Sequence, residues 1–119
     1  MPKTTPTPKY ELLPETNLNN LHRIRALRDF GAIKRGSIGG WVAGTHNLSQ
    51  TDNAWIHDLA QVLDSAYISE NAQIFDSAVI FGSTKISGSV KVRNSVKIYG
   101  NAEISGDAEI SGSAWIFGA

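Results

Sequence analysis

The sequence predicts an all-β chain whose C-terminal half is a single-stranded parallel β-helix, and three observations carry that expectation. From Ala54 to Ala119 the chain divides without remainder into eleven hexads. The third residue of every hexad is Ile or Val: Ile56, Val62, Ile68, Ile74, Ile80, Ile86, Val92, Ile98, Ile104, Ile110 and Ile116. The first residue is Ala in eight hexads and Thr84, Val90 or Val96 in the others. A fixed short period sustained over this length signals a solenoid, in which each unit buries its apolar side only by stacking on the next.

The first and third residues are two apart, so on a strand they point to the same side and their neighbours point away. β-branched side chains suit that pleated, half-buried surface. The fifth position holds Asp or Glu in the early hexads and Gly or Asn in the later ones. Gly, Asn and Asp tolerate the left-handed backbone of a sharp corner, and Glu70 is the odd occupant. Each hexad therefore reads as one strand and one corner, and three sides make a triangular coil of 18 residues. Eleven hexads give 11/3, or about 3.7 coils, spaced roughly 4.8 Å apart. The register of 18 has an independent check, because it sets Lys85 over Glu103 and Lys91 over Glu109, and aligns Ser69, Ser87 and Ser105.

Residues 1–53 do not follow the hexads and are expected to form an N-terminal tail and cap, with 54–119 as the β-helix proper. Met1–Pro8 has no hydrophobic stretch, so it reads as a disordered tail and not as a secretory signal. Residues 9–13 read as a strand ended by Pro14, and Leu21–Leu27 fits strand and helix periods alike. Gly36, Gly39 and Gly40 are expected to break regular structure. Ile33, Ile38, Trp41 and Val42 are expected to plug the open top of the column, since a bare solenoid end exposes core and unpaired backbone.

The hexads resemble the hexapeptide-repeat family of left-handed parallel β-helices. The upstream segments, residues 21–42 (LHRIRALRDFGAIKRGSIGGWV) and 47–56 (NLSQTDNAWI), resemble small repeat proteins of enterobacteria and their phages that usually carry a transferase label. The resemblance spans residues 10–119, tilts Leu21–Leu27 to a strand, and implies left-handed coiling, which period alone does not fix. For activity it implies coenzyme A-dependent acyl transfer between subunits of a trimer. Here the pattern departs. Hexapeptide acyltransferases place a histidine base near a loop projecting from the coils, and this repeat runs without an inserted loop. His57 lies in the first hexad and His22 and His46 precede it, none in a family motif.

Composition narrows the function further. Eleven basic and eleven acidic residues cancel, so no global field draws the protein to nucleic acid or anionic lipid. The split is modest: residues 1–53 carry 7 − 4 = +3 and the remainder 4 − 7 = −3. Arg23, Arg25, Arg28, Lys34 and Arg35 form the one basic stretch, but acids lie among them and no interleaved aromatics suggest base stacking; a nucleic-acid partner is disfavoured. The absence of cysteine excludes disulfides and thiolate chemistry. Scattered histidines offer no metal-ligand spacing, so no metal and no cofactor are expected. No apolar run reaches the roughly 20 residues of a membrane span, and a cytoplasmic protein is expected.

The informative anomaly lies on the outside. Sorting the hexads by three gives a polar third face (Tyr67, Ser69, Lys85, Ser87, Glu103, Ser105) and a mixed first face (Trp55, His57, Gln73, Phe75, Lys91, Arg93, Glu109, Ser111). On the second face Leu63, Phe81, Tyr99 and Phe117 make an uninterrupted apolar ladder flanked by Val79 and Trp115. Such a stripe is normally covered, by the chain's own first 53 residues or by a partner. Ile116 and Phe117 also lie at the end of the last hexad, where an open rung would be a template for another chain. The expected interface is therefore Leu63, Val79, Phe81, Tyr99, Trp115, Ile116 and Phe117, with no catalytic residue. The sequence predicts a non-catalytic, self-associating interaction module, a homo-oligomer with a dimer preferred to a trimer, and a host or phage protein as further partner. An acyltransferase-like enzyme with His57 as base is the competing expectation.

Overall fold

A computed structural model describes residues 8–118; the tail expected over Met1–Pro8, Pro8 apart, and the last residue, Ala119, lie outside them. The chain folds as a β-solenoid. Strands β4 (Trp55–Ile56), β7 (Gln73–Ile74), β10 (Lys91–Val92) and β13 (Glu109–Ile110) stack into one side. Strands β6 (Tyr67–Ile68), β9 (Lys85–Ile86) and β12 (Glu103–Ile104) make the third side. The second side joins β5 (Gln61–Val62), β8 (Val79–Ile80), β11 (Lys97–Gly100) and β14 (Trp115–Gly118), and it continues upstream into β3 (Ile38–Val42), β2 (His22–Ala26) and β1 (Tyr10–Thr16) to make seven strands.

Within the hexads all coil-to-coil pairing is parallel and in the register of 18, as in Lys85↔Glu103 and Lys91↔Glu109. The Ile and Val of the third positions form a dry column, fully buried from Ile56 to Ile98. Ile104, Ile110 and Ile116 are half-buried, because no further coil stacks on them among the described residues. The nearby charges do not pair rung by rung as the register suggests. The carboxylate of Glu109 lies 3.9 Å from Arg93 instead, an exposed pair of little consequence for stability.

Every corner from Asp58 to Gly112 uses one residue at positive φ, between 56° at Asp64 and 85° at Gly112. Glu70 adopts this conformation too, at 60°, and its partners explain the cost. Its own N–H donates to Asp52 Oδ2 (2.6 Å), and its carboxylate accepts the Gly88 N–H one coil on (2.8 Å). The same bond recurs from Asp76 N–H to Asp58 (3.1 Å), from Gly82 N–H to Asp64 (3.0 Å) and from Asn94 N–H to Asp76 (2.9 Å). The acids of the fifth position thus satisfy a corner amide that points away from the sheet ladder.

The parallel pairing begins before the hexads. Trp41 and Val42 pair with Gln61 and Val62, and Leu48 bridges Ile68, each 20 residues apart in place of 18. Two extra residues therefore sit between Leu48 and Ile56, and this bulge hides the first two sides from a search by sixes. Two expectations for the cap are corrected. Gly39 and Gly40 lie inside β3 and do not break it. A side chain at either would come within 2.5 Å of a backbone carbonyl, Ile56 O or Ala60 O, so these glycines let the strand sink onto the first coil. β1 likewise runs through Pro14 to Thr16, as an edge strand with an irregular register that spares the missing N–H.

The plug also differs from expectation. Val42 is buried, but Ile33 is only half-buried, Trp41 lies on the outer face and Ile38 is 48% exposed. Tyr10, Ile24 and Phe30 pack into the core in their place. Trp55, expected outside beside His57, is buried, with Tyr10 and Phe30 packed edge-on at 6.3 and 5.3 Å.

Replacing Ile86 or Val92 with Asp should abolish the cooperative circular-dichroism melt, because a carboxylate in mid-column meets neither water nor partner. Ser87→Asp, on the outer side of the same stretch, should stay within about 0.5 kcal/mol of wild type.

Candidate interaction face and polar sites

The seven-stranded side presents two columns of outward residues. One runs Trp41, Gln61, Val79, Lys97, Trp115 in strict register. The other is the apolar ladder. Phe81 stacks on Tyr99 at 5.1 Å between ring centres, and Tyr99 on Phe117 at 5.4 Å. The coil spacing itself imposes this geometry, since side chains one rung apart lie within ring-stacking distance. Stacking covers ring faces and leaves the edges outward, so Leu63, Phe81 and Tyr99 are half-buried before any partner arrives.

Of the expected interface residues, Leu63, Val79, Phe81, Tyr99, Trp115 and Phe117 share this face, with Trp115 and Phe117 at 65% and 68% exposure. Ile116 does not; it points into the column with the other third-position residues. The cap does not lie over the ladder among the described residues. It extends the same sheet upward, with Arg23 stacked over the Trp41 ring at 5.2 Å. At the tip of the β1–β2 hairpin Asn19 reaches Gln61 (3.4 Å), which brings the fully exposed Leu18 to the rim of the face. No periodic signal marks Leu18 or Arg23, because the antiparallel hairpin sets their position.

The histidines are all engaged locally. His57 stacks on Phe75 at 4.4 Å and hydrogen-bonds Gln73 Oε1 (2.7 Å). His22 meets the Leu13 carbonyl (2.7 Å) and His46 that of Asp64 (2.8 Å). Among the described residues no three His, Asp or Glu side chains gather as metal ligands. Three residues of the basic stretch are engaged locally: Arg23 donates to the Gly39 and Asp58 carbonyls, Arg25 pairs with Glu11, and Arg28 donates to the Gln50 carbonyl, while Lys34 and Arg35 are exposed. The polar third side forms an open groove of about 440 Å3 lined by Tyr67, Ser69, Lys85, Ser87, Glu103 and Ser105. No helix among the described residues is long and apolar enough to cross a membrane.

One buried polar cluster escaped the sequence reading altogether. Lys9 is fully buried, and its ammonium donates to the carbonyls of Asp52 (2.9 Å) and Ala54 (2.7 Å) with the Phe30 ring 5.0 Å away. Asp52 Oδ1 stands 3.8 Å from the ammonium and has no hydrogen-bond partner, so their attraction is chiefly electrostatic. The backbone N–H groups of Lys9 and Tyr10 both donate to Gln50 Oε1. The two-residue bulge is thus clamped by the start of β1. Burial pushes Lys9 down from 10.5 to about 8, against the pull of Asp52 and with the help of Arg28. Burial pushes the Tyr10 phenol above its ordinary range. Its hydroxyl donates to the Leu48 carbonyl at 2.6 Å.

Compared with models of protein families and with curated proteins, the sequence gives no match. The face and the cap cluster are therefore read on their own geometry.

Between pH about 8 and 10.5 the unfolded chain holds a proton on Lys9 that the folded chain has released, so folding stability rises with pH in that window. Tyr10 works the other way above about pH 10, where only the unfolded phenol ionises. The urea midpoint should therefore climb between pH 8 and 9.5 in the wild type. Lys9→Met should flatten that climb and lower the midpoint throughout, by stranding two carbonyls and Asp52.

Proposed function

We propose that this chain is a non-catalytic β-solenoid that self-associates and serves as a rigid protein-interaction module. The reading takes it as a hexapeptide-repeat β-helix, cytoplasmic and of bacterial or phage origin, with a host protein as its further partner. The observation that carries it is the aromatic ladder on the longest continuous sheet, whose ring edges and flanking Val79 and Trp115 stay open to solvent. A rigid, flat, apolar strip flanked by polar corners fits the make-up of a protein–protein contact. His57 favours the same conclusion, because its ring is committed to Phe75 and Gln73.

Light scattering on the wild type should give a discrete oligomer, and Phe81→Glu/Tyr99→Glu a folded species of lower mass. A monodisperse wild-type monomer at tens of micromolar overturns the reading. His57→Ala should keep both fold and oligomer, and the wild type should pass through immobilised coenzyme A; acyl transfer abolished by that substitution would promote the enzyme instead.

A further inference from the structure

Resting on the self-association proposed above, we propose that the seven-stranded face receives a second copy of this chain, packed with its solenoid axis antiparallel about a two-fold axis running along β8. The charges bordering the face select this occupant and this direction. The rung of Gln61 and Leu63 is flanked by two acidic corners, Asp58 and Asp64. Two rungs further on, Lys97 stands on the face between the neutral corners Asn94 and Gly100, with no carboxylate within 4 Å among the described residues. The Val79–Phe81 rung lies midway between them.

An antiparallel two-fold through that middle rung puts Lys97 of each copy over the acidic rung of the other, twice by symmetry. It sets Val79 on Val79, Phe81 on Phe81 and the Asp76 corner on its own copy at the axis, the one like-charge contact of this packing, with each Asp76 carboxylate already accepting from the Asn94 N–H. Trp115, exposed, then meets the Trp41 ring and its Arg23. With the axes parallel, the acidic rung would face the acidic rung, Asp58 opposite Asp64, and the Lys97 rung would face the Lys97 rung. The wider charge pattern agrees: residues 54–71 carry three acids and no Lys or Arg, and residues 90–107 carry 3 − 2 = +1. Opposite bands attract and like bands repel, which fixes orientation more than it adds affinity. About this axis only five strands of each copy, β3, β5, β8, β11 and β14, lie opposite one another, and at ~4.8 Å per strand and a side of ~16 Å they offer roughly 380 Å2 per copy, about half the ~800 Å2 of a standard interface. The dimer is therefore expected in the micromolar range.

The natural chain has no cysteine, so single introduced thiols report the geometry cleanly. At tens of micromolar under mild oxidation, Val79→Cys should form a disulfide-linked dimer. Gln61→Cys alone should not, since the two thiols sit one rung to either side of the axis and so two rungs apart, but a mixture of Gln61→Cys with Lys97→Cys should. Lys97→Glu, with its circular dichroism unchanged, should weaken the dimer by about tenfold or more, as should raised salt. A wild-type dimer in which Gln61→Cys links as readily as Val79→Cys overturns the antiparallel packing and leaves self-association standing. A wild-type monomer overturns both.

Discussion

The stacking of one coil on the next in a fixed register of 18 is the constraint on which the rest of this structure depends. No single two-residue strand is stable alone, and each gains its partners only when the chain returns to the same corner after three sides. That return requires a left-handed backbone residue at every sixth position, which the corners supply without exception from Asp58 to Gly112. Once the corners hold, the Ile/Val column is buried and the outward side chains fall into columns. A shift of one residue would reverse inside and outside along the whole side, so the dry column and the register specify each other.

The corner acids show how local chemistry serves this constraint. Asp58, Asp64, Glu70 and Asp76 each stand at positive φ, and each reaches forward to the amide of the corresponding corner one coil later. A residue that costs backbone strain thereby supplies an acceptor for a group the ladder leaves unpaired. Glycine accepts the same conformation without strain but has no side chain to pass on the bond. The early coils, next to the cap, thus carry the charged corners and the later coils the glycine ones. The acidic rung beside Leu63 and the neutral corners beside Lys97 both follow from that division.

The cap solves a different problem, closing the column without matching its period. A two-residue bulge after Leu48 shifts the phase, and Lys9, Gln50 and Asp52 hold the bulge in place by bonds to backbone groups. Burying an ammonium there costs desolvation, offset by two carbonyls and a nearby carboxylate. The same arrangement continues the second side upward through β3, β2 and β1, which makes that side the longest flat surface of the molecule.

The repeat, the coil of 18, the inward column and the aromatic ladder were all legible in the amino-acid order, because each depends on contacts repeated at one fixed spacing. The polar third side and the membership of Leu63, Val79, Phe81, Tyr99, Trp115 and Phe117 in one face could be read in the same way. What tertiary structure alone decided lies where spacing stops being periodic. Trp55 turns from an outward residue into a buried one because Tyr10 and Phe30 close over it. Gly39 and Gly40 read as breakers but serve a close approach of two backbones. Lys9 read as the first residue of a strand, with nothing to mark its burial, and is the best-buried charge in the fold, since its partners lie more than forty residues away in sequence. A period records what each residue meets in the next coil, and it carries no record of contacts made once.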